Sequence, residues 1–244
     1  MIDKNNFVKN LDEFVNGEII LINKQQNWTS FDVVNKIRSL LFRALNKKRL
    51  KVGHAGTLDP LATGLLIVAT GKMTKSLSEY QNLTKEYITT FRFGNETPSF
   101  DRETEVVKEC DIEYVTERKL KQLIKEKFIG EIMQEPPLYS AIKIDGKKAY
   151  QLARKGKEKK LEPRKIIIYE MDILAFNLPD ITFRIKCSAG TYIRSIARDL
   201  GKELRSCAYM TELKRTCIGE YTVNDALTIG DFQNKIINLE NKYS

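Results

Sequence analysis

The chain has 244 residues, 42% of them hydrophobic, which is enough to bury one large domain or two small ones. Lysine and arginine number 41 against 32 acidic residues, and the resulting net charge of +9 favours a polyanionic partner such as nucleic acid. No apolar run approaches the roughly 20 residues of a membrane span, and a single histidine with four scattered cysteines excludes a multi-imidazole metal site or a zinc knuckle. Met1 to Asn6 also lack the basic-then-apolar layout of a signal peptide. The expectation is a cytoplasmic protein that crosses no membrane. Cys110, Cys187, Cys207 and Cys217 are then free thiols in a reducing compartment.

In chain order, Glu18 to Ile22 reads as a short strand and Lys24 to Trp28 as a turn. Thr29 or Ser30 then caps a helix with Phe31, Val34, Ile37, Leu41 and Leu45 at helical spacing. The stretch Gly53-His54-Ala55-Gly56-Thr57-Leu58-Asp59-Pro60-Leu61-Ala62-Thr63-Gly64 carries glycine and proline too often for a helix or an uninterrupted strand. It reads as a shaped loop that holds one carboxylate, Asp59, and the only histidine, His54. The apolar run Leu65 to Ala69 that follows is a buried strand, so the loop is pinned to the core. Lys72 to Leu83 reads as a short helix. Lys85 to Gly94 alternates as a strand, with Tyr87, Thr89, Phe91 and Phe93 on one face. Ser99-Phe100-Asp101 lies in a polar loop, and Thr116 caps a scaffold helix ended by Gly130.

A block of alternating basic and tyrosine residues follows. Pro136-Pro137-Leu138-Tyr139-Ser140-Ala141-Ile142-Lys143-Ile144-Asp145-Gly146-Lys147-Lys148-Ala149-Tyr150 runs into Gln151-Leu152-Ala153-Arg154-Lys155-Gly156. A stiff entry, a strand, an Asp-Gly turn and a basic helix make a protruding hairpin suited to structured RNA. A second basic cluster, Lys47-Lys48-Arg49, precedes the Asp59 loop. Arg164 to Phe176 and Ile181 to Cys187 read as strands. Ser188-Ala189-Gly190-Thr191-Tyr192-Ile193-Arg194-Ser195 opens a helix, in whose first turn Arg194 reads, on pattern alone, as facing solvent. Tyr209 to Thr216 and Ile218 to Val223 read as strands, and Ile229 to Leu239 as a terminal helix.

Five of these segments, in this order, resemble motifs of the TruB family of tRNA pseudouridine synthases: Lys24 with Thr29-Ser30, the Asp59 loop, Lys85-Glu86-Tyr87, the Pro136 to Gly156 block, and Cys187 to Ser195 with Leu213-Lys214-Arg215-Thr216. Gln25 and Asn27 stand where the family has proline and glycine. Asparagine tolerates left-handed backbone, so the turn can persist. The resemblance implies an α/β (α+β) fold, with a mixed, mostly antiparallel central sheet flanked by helices. It implies one catalytic domain over residues 1–244 with an RNA-gripping arm at about 131–163, and no room after Val223 for the small C-terminal PUA domain of many relatives.

The resemblance further implies isomerisation of the T-loop uridine at tRNA position 55, with Asp59 as the reactive group. Arg194 would pair with that carboxylate. His54, Tyr87 and Leu213 would serve the flipped base, and Lys24, Lys143, Lys147, Lys148 and Arg154 would contact RNA. Asp101 corresponds to a family aspartate. No cofactor or metal is implied. The partner is the T arm of tRNA, and the chain is expected to act as a monomer without an obligatory protein partner. An idle RNA-binding module would share the basic arm but has no use for Asp59 and Arg194 together. A guide-RNA-dependent synthase shares the core motifs but relies on a PUA domain and protein partners.

Overall fold

The computed structural model describes residues 1–46, 50–140, 143–144, 147–149 and 161–243. Lys47, Lys48, Arg49 and Arg154 lie outside the described residues, as do the side chains of Lys143, Lys147 and Lys148. The chain forms two compact units, one of Met1–Tyr87 with Lys214–Ser244 and one of Ile88–Leu213.

The first unit begins with α1 (Asp12–Asn16) and β1 (Ile19–Lys24). Helix α2 (Ser30–Ala44) starts at an N-cap where Thr29 and Asp32 form a reciprocal capping box. Such a cap contributes about 1 kcal/mol. Its buried face is Val33, Val34, Ile37, Leu40 and Leu41, whereas Phe31, expected on that face, is 59% exposed. Two residues after the cap, Phe31 is placed by helical geometry beside Asn35 on the outer face. Strand β2 (Val52–His54) and strand β3 (Thr63–Thr70) take residues from both ends of the stretch read as a loop. His54 is therefore a strand residue, paired with Val68. β3 pairs antiparallel with β1, from Ile19 with Ala69 to Lys24 with Gly64.

The unbroken apolar runs of β1 and β3 follow from burial on both faces. Ile20, Ile22, Leu66 and Val68 join a core with α2, while Ile19, Leu21, Leu65 and Ile67 join a second core with Ala55 and Val223. The segment read as a helix from Lys72 is a 3-10 turn over Gly71–Ser76 followed by α3 (Leu77–Asn82). β4 (Lys85–Phe93) alternates as expected, with Tyr87, Thr89, Phe91 and Phe93 buried.

The second unit takes the chain from Ile88 onward. It contains the short pair β5 (Asn95–Glu96) and β6 (Lys108–Glu109), helix α4 (Glu117–Leu123) capped by Thr116, and β7 (Gly130–Gln134). β8 (Lys143–Ile144) and β9 (Lys147–Lys148) pair antiparallel, with Lys143 opposite Lys148 and Ile144 opposite Lys147. β10 (Arg164–Asn177) and β11 (Asp180–Cys187) form a long antiparallel pair, followed by α5 (Ile193–Glu203) and β12 (Ala208–Ile218). Strand order in this unit is β12-β4-β11-β10-β7. One cysteine expectation is corrected: Cys110 and Cys207 form a disulfide, with Cα atoms 5.7 Å apart, so two of the four are not thiols. They lie 97 residues apart in sequence, and no local spacing signals the pair.

The last residues return to the first unit. β12 reaches Ile218 as one strand, where sequence suggested a break before it. β13 (Tyr221–Thr222) turns back on its end, and α6 (Ile229–Tyr243) packs on the α2 core through Phe232 and Ile236. β12 meets β3 in parallel, with Lys214 opposite Thr63 and Arg215 opposite Gly64. The sheet is thus mixed and mainly antiparallel, with helices flanking it.

Candidate active site

Asp59 is half-buried, and the backbone on both sides of it is fixed by side chains from three elements. From the start of α2, Ser30 Oγ accepts from the Leu58 amide at 2.8 Å and donates to the Leu58 carbonyl at 3.1 Å. From the end of β1, Lys24 Nζ donates to the carbonyls of Gln25 (3.0 Å), Trp28 (2.6 Å) and Pro60 (3.3 Å). The Asn27 amide also donates to Pro60, at 2.8 Å. Asn27 reaches that position with φ of +64°, the left-handed conformation expected where the family has glycine. From β12, Arg215 Nε donates to the Leu65 carbonyl at 2.8 Å and Nη2 to the Gly56 carbonyl at 3.2 Å. The Asp59 carbonyl itself accepts from the Ala62 amide at 3.1 Å. A loop held at Gly56, Leu58, Asp59 and Pro60 presents its carboxylate from a fixed backbone, which is what a reactive side chain needs.

Lys24 corrects an expectation. Its side chain is fully buried, and its ammonium is engaged by the turn and loop carbonyls. It shapes the site from inside and does not offer its charge to a phosphate. Burial lowers its pKa to about 8, Asp59 opposes that shift, and Arg215 adds to it. His54 lies near the same guanidinium. Its pKa is lowered, first by burial and then by the Arg215 charge, with the Gly56 backbone opposing them. The imidazole is therefore neutral at pH 7. Tyr87, 9% exposed, follows Lys85, another buried lysine, whose ammonium donates to the carbonyls of Tyr80, Gln81 and Leu83 at the end of α3. Glu86 between them accepts from Thr216 Oγ1 at 2.7 Å.

Arg194 belongs to the second unit and is 4% exposed, against the solvent-facing position that helical pattern alone assigns. Its Nε lies 3.4 Å from Asp101 Oδ2, while Nη1 donates to the Ser99 carbonyl (3.1 Å) and Nη2 to the Tyr139 carbonyl (3.0 Å). The polar loop, the Pro136 block and the start of α5 thus converge on one guanidinium. Gln134 locks the helix start: its Oε1 accepts from the Tyr192 amide at 2.8 Å and its Nε2 donates to the Tyr192 carbonyl at 3.0 Å. Leu213 is half-buried on β12. The structure brings Lys24, His54, Asp59 and Arg215 together in the first unit, and Asp101 and Arg194 together in the second.

Sequence reasoning passed over two residues of this arrangement. Ser30 was legible only as a helix cap. In the sequence Arg215 stands out only as part of the segment Leu213 to Thr216 that resembles the family. The period of two on β12 held the signal, because Arg215 shares the parity of Leu213 while Glu212 and Lys214 face solvent.

Residues 43–193 match the TruB family pseudouridylate synthase N-terminal domain, and residues 194–244 match the tRNA pseudouridylate synthase B C-terminal domain. The tRNA pseudouridine synthase B of Phocaeicola vulgatus is 50% identical over 222 residues, covering 90% of this chain and 93% of that protein. That of Parabacteroides distasonis is 49% identical over 235 residues, covering 93% of this chain and 98% of the relative. Among solved structures, a Cbf5-Nop10-Gar1 complex contains a chain that superposes with a TM-score of 0.70 at 28% identity; the match covers 97% of this chain and 59% of that one.

Proposed function

This chain belongs to the TruB family of pseudouridylate synthases, and from that premise we propose that it isomerises the T-loop uridine at position 55 of tRNA, with Asp59 as the reactive group. The chain is an isomerase that converts uridine in tRNA to pseudouridine. The observation that supports Asp59 is its setting: the one carboxylate in a loop whose carbonyls and amides are tied to β1, α2 and β12.

The uridine is flipped from the folded T loop, at a cost of a few kcal/mol. Its N1–C1′ glycosidic bond breaks, the uracil turns, C5 bonds to C1′ of the ribose, and the proton on C5 leaves while N1 takes one up. An ionised carboxylate serves this sequence either by attacking carbon or by removing a proton from the sugar. A neutral His54 fits a role beside an uncharged base. Tyr87 and Leu213 are proposed to hold the flipped uracil, and Arg194 to pair with Asp59. Arg194's buried setting suits an ion that must stay oriented. Phosphate contacts are assigned to Lys143, Lys147, Lys148 and Arg154, no longer to Lys24. The reading places the enzyme in the cytoplasm with its tRNA, acting as a monomer without an obligatory protein partner, and the reaction asks for no redox step or group donor.

The test is to incubate the purified protein with an unmodified T-arm transcript and map pseudouridine at single-nucleotide resolution. Modification at position 55 alone is expected. Modification elsewhere in the T arm, or none in the T arm but some in another arm of whole tRNA, overturns the site assignment.

A further inference from the structure

Arg215 stands on β12 beside the Asp59 loop. It is 2% exposed and the largest fully buried side chain among the described residues. Among the described residues its two hydrogen bonds go to backbone carbonyls on either side of Asp59: Gly56 before it and Leu65 after it. Its own backbone runs parallel to β3 at Gly64, so the side chain issues from a fixed point beside the loop. His54, two residues before Gly56, has a buried Nδ1 without a hydrogen-bond partner.

We propose that Arg215 is a positioning residue of the active site, which clamps the Gly56 end of the Asp59 loop and holds its guanidinium beside His54. Two effects follow from one side chain. The clamp fixes where the backbone leading to Asp59 begins. The guanidinium, which never deprotonates, also repels a proton on His54, against the Gly56 backbone, which favours one. The groups that bear on His54 are then Arg215 from β12 and the Gly56 backbone of its own loop, with Lys24 from β1 beside Arg215.

This inference rests on the reading of Asp59 as the reactive group, and the experiment separates the two. His54 is the only histidine in the chain, so its imidazole resonances are assigned without ambiguity. Its titration is followed by NMR in the wild type, Arg215→Lys and Arg215→Met, with single-turnover rate and tRNA affinity measured on each and on Asp59→Asn. In the wild type, His54 titrates below the ordinary value of about 6.5. In Arg215→Met the midpoint rises, and the rate falls by about 100-fold, as for a displaced reactive group, with affinity nearly unchanged. Arg215→Lys keeps the charge but cannot span both carbonyls. It retains the low His54 midpoint with only partial recovery of rate, a split that a purely structural role would not give.

A wild-type His54 midpoint at or above the ordinary value overturns the proposal without any variant. So does a folded Arg215→Met or Arg215→Lys enzyme that keeps the wild-type rate while Asp59→Asn is inactive. Full activity in Asp59→Asn would instead overturn the reading of Asp59, whatever the Arg215 variants do.

Discussion

Lys24 shows how a charged residue can be part of a core. Its three protons meet three carbonyls, and burial still lowers its pKa from 10.5 to about 8. The sign of the consequence is fixed by linkage. Between about 8 and 10.5 the unfolded chain holds a proton that the folded chain has released, so stability contributed by this residue rises with pH across that window. Lys24→Met removes the contribution. The unfolding free energy of the wild type minus that of Lys24→Met should therefore climb from pH 8 to pH 10, as measured by urea denaturation at constant ionic strength. A flat difference would show that the ammonium is as well solvated folded as unfolded. Comparing the two proteins cancels the titration of every other group.

Among the elements, the junction of β3 and β12 carries the site. Gly64 has φ of +106°, and a Cβ built there would lie 2.3 Å from the Arg215 carbonyl oxygen and 2.7 Å from its amide nitrogen. Neither backbone atom can move without breaking the strand pairing that delivers Arg215 to Gly56. Gly64→Ala should cost about 3 kcal/mol or more, from overpacking and backbone strain together. Urea unfolding checks this, and a loss under 1 kcal/mol would mean that the strands part easily here. Most of these elements were legible in sequence. The period of two announced β4, and Thr29 or Ser30 announced the start of α2. His54 was not legible as a strand residue, because β2 has only three residues and its pairing with β3 is set by contacts distant in sequence. Arg194 escaped for a related reason: Ile193 to Ala197 are all buried, so that part of α5 has no solvent face for a helical pattern to reveal.

For the whole molecule, the net charge of +9 overstates what the surface offers a polyanion. Lys24, Lys85, Arg194 and Arg215 are all buried, whereas Asp101 is the one buried carboxylate among the described residues. The sequence showed the total but not this partition, since burial of a cation depends on carbonyls gathered by the fold. The charges left for RNA are proposed to act on the T arm. Each phosphate neutralised contributes about −0.7 to −0.9 to the slope of log affinity against log salt. Three or more contacts therefore predict a slope steeper than about −2 on the same basis, and it should be equal for a T-arm minihelix and whole tRNA. A clearly steeper slope for whole tRNA would place phosphate contacts beyond the T arm.

The central claim is that Asp59 is the reactive group and that the surrounding bonds exist to present it. Asp59→Asn keeps the size of the side chain and its loop but removes the charge. The direct measurement is single-turnover pseudouridine formation by wild type and Asp59→Asn on the same T-arm transcript, with binding measured in parallel. The account predicts no detectable pseudouridine from the variant, with affinity within a few-fold of wild type. Pseudouridine formed by Asp59→Asn at a substantial fraction of the wild-type rate would contradict it.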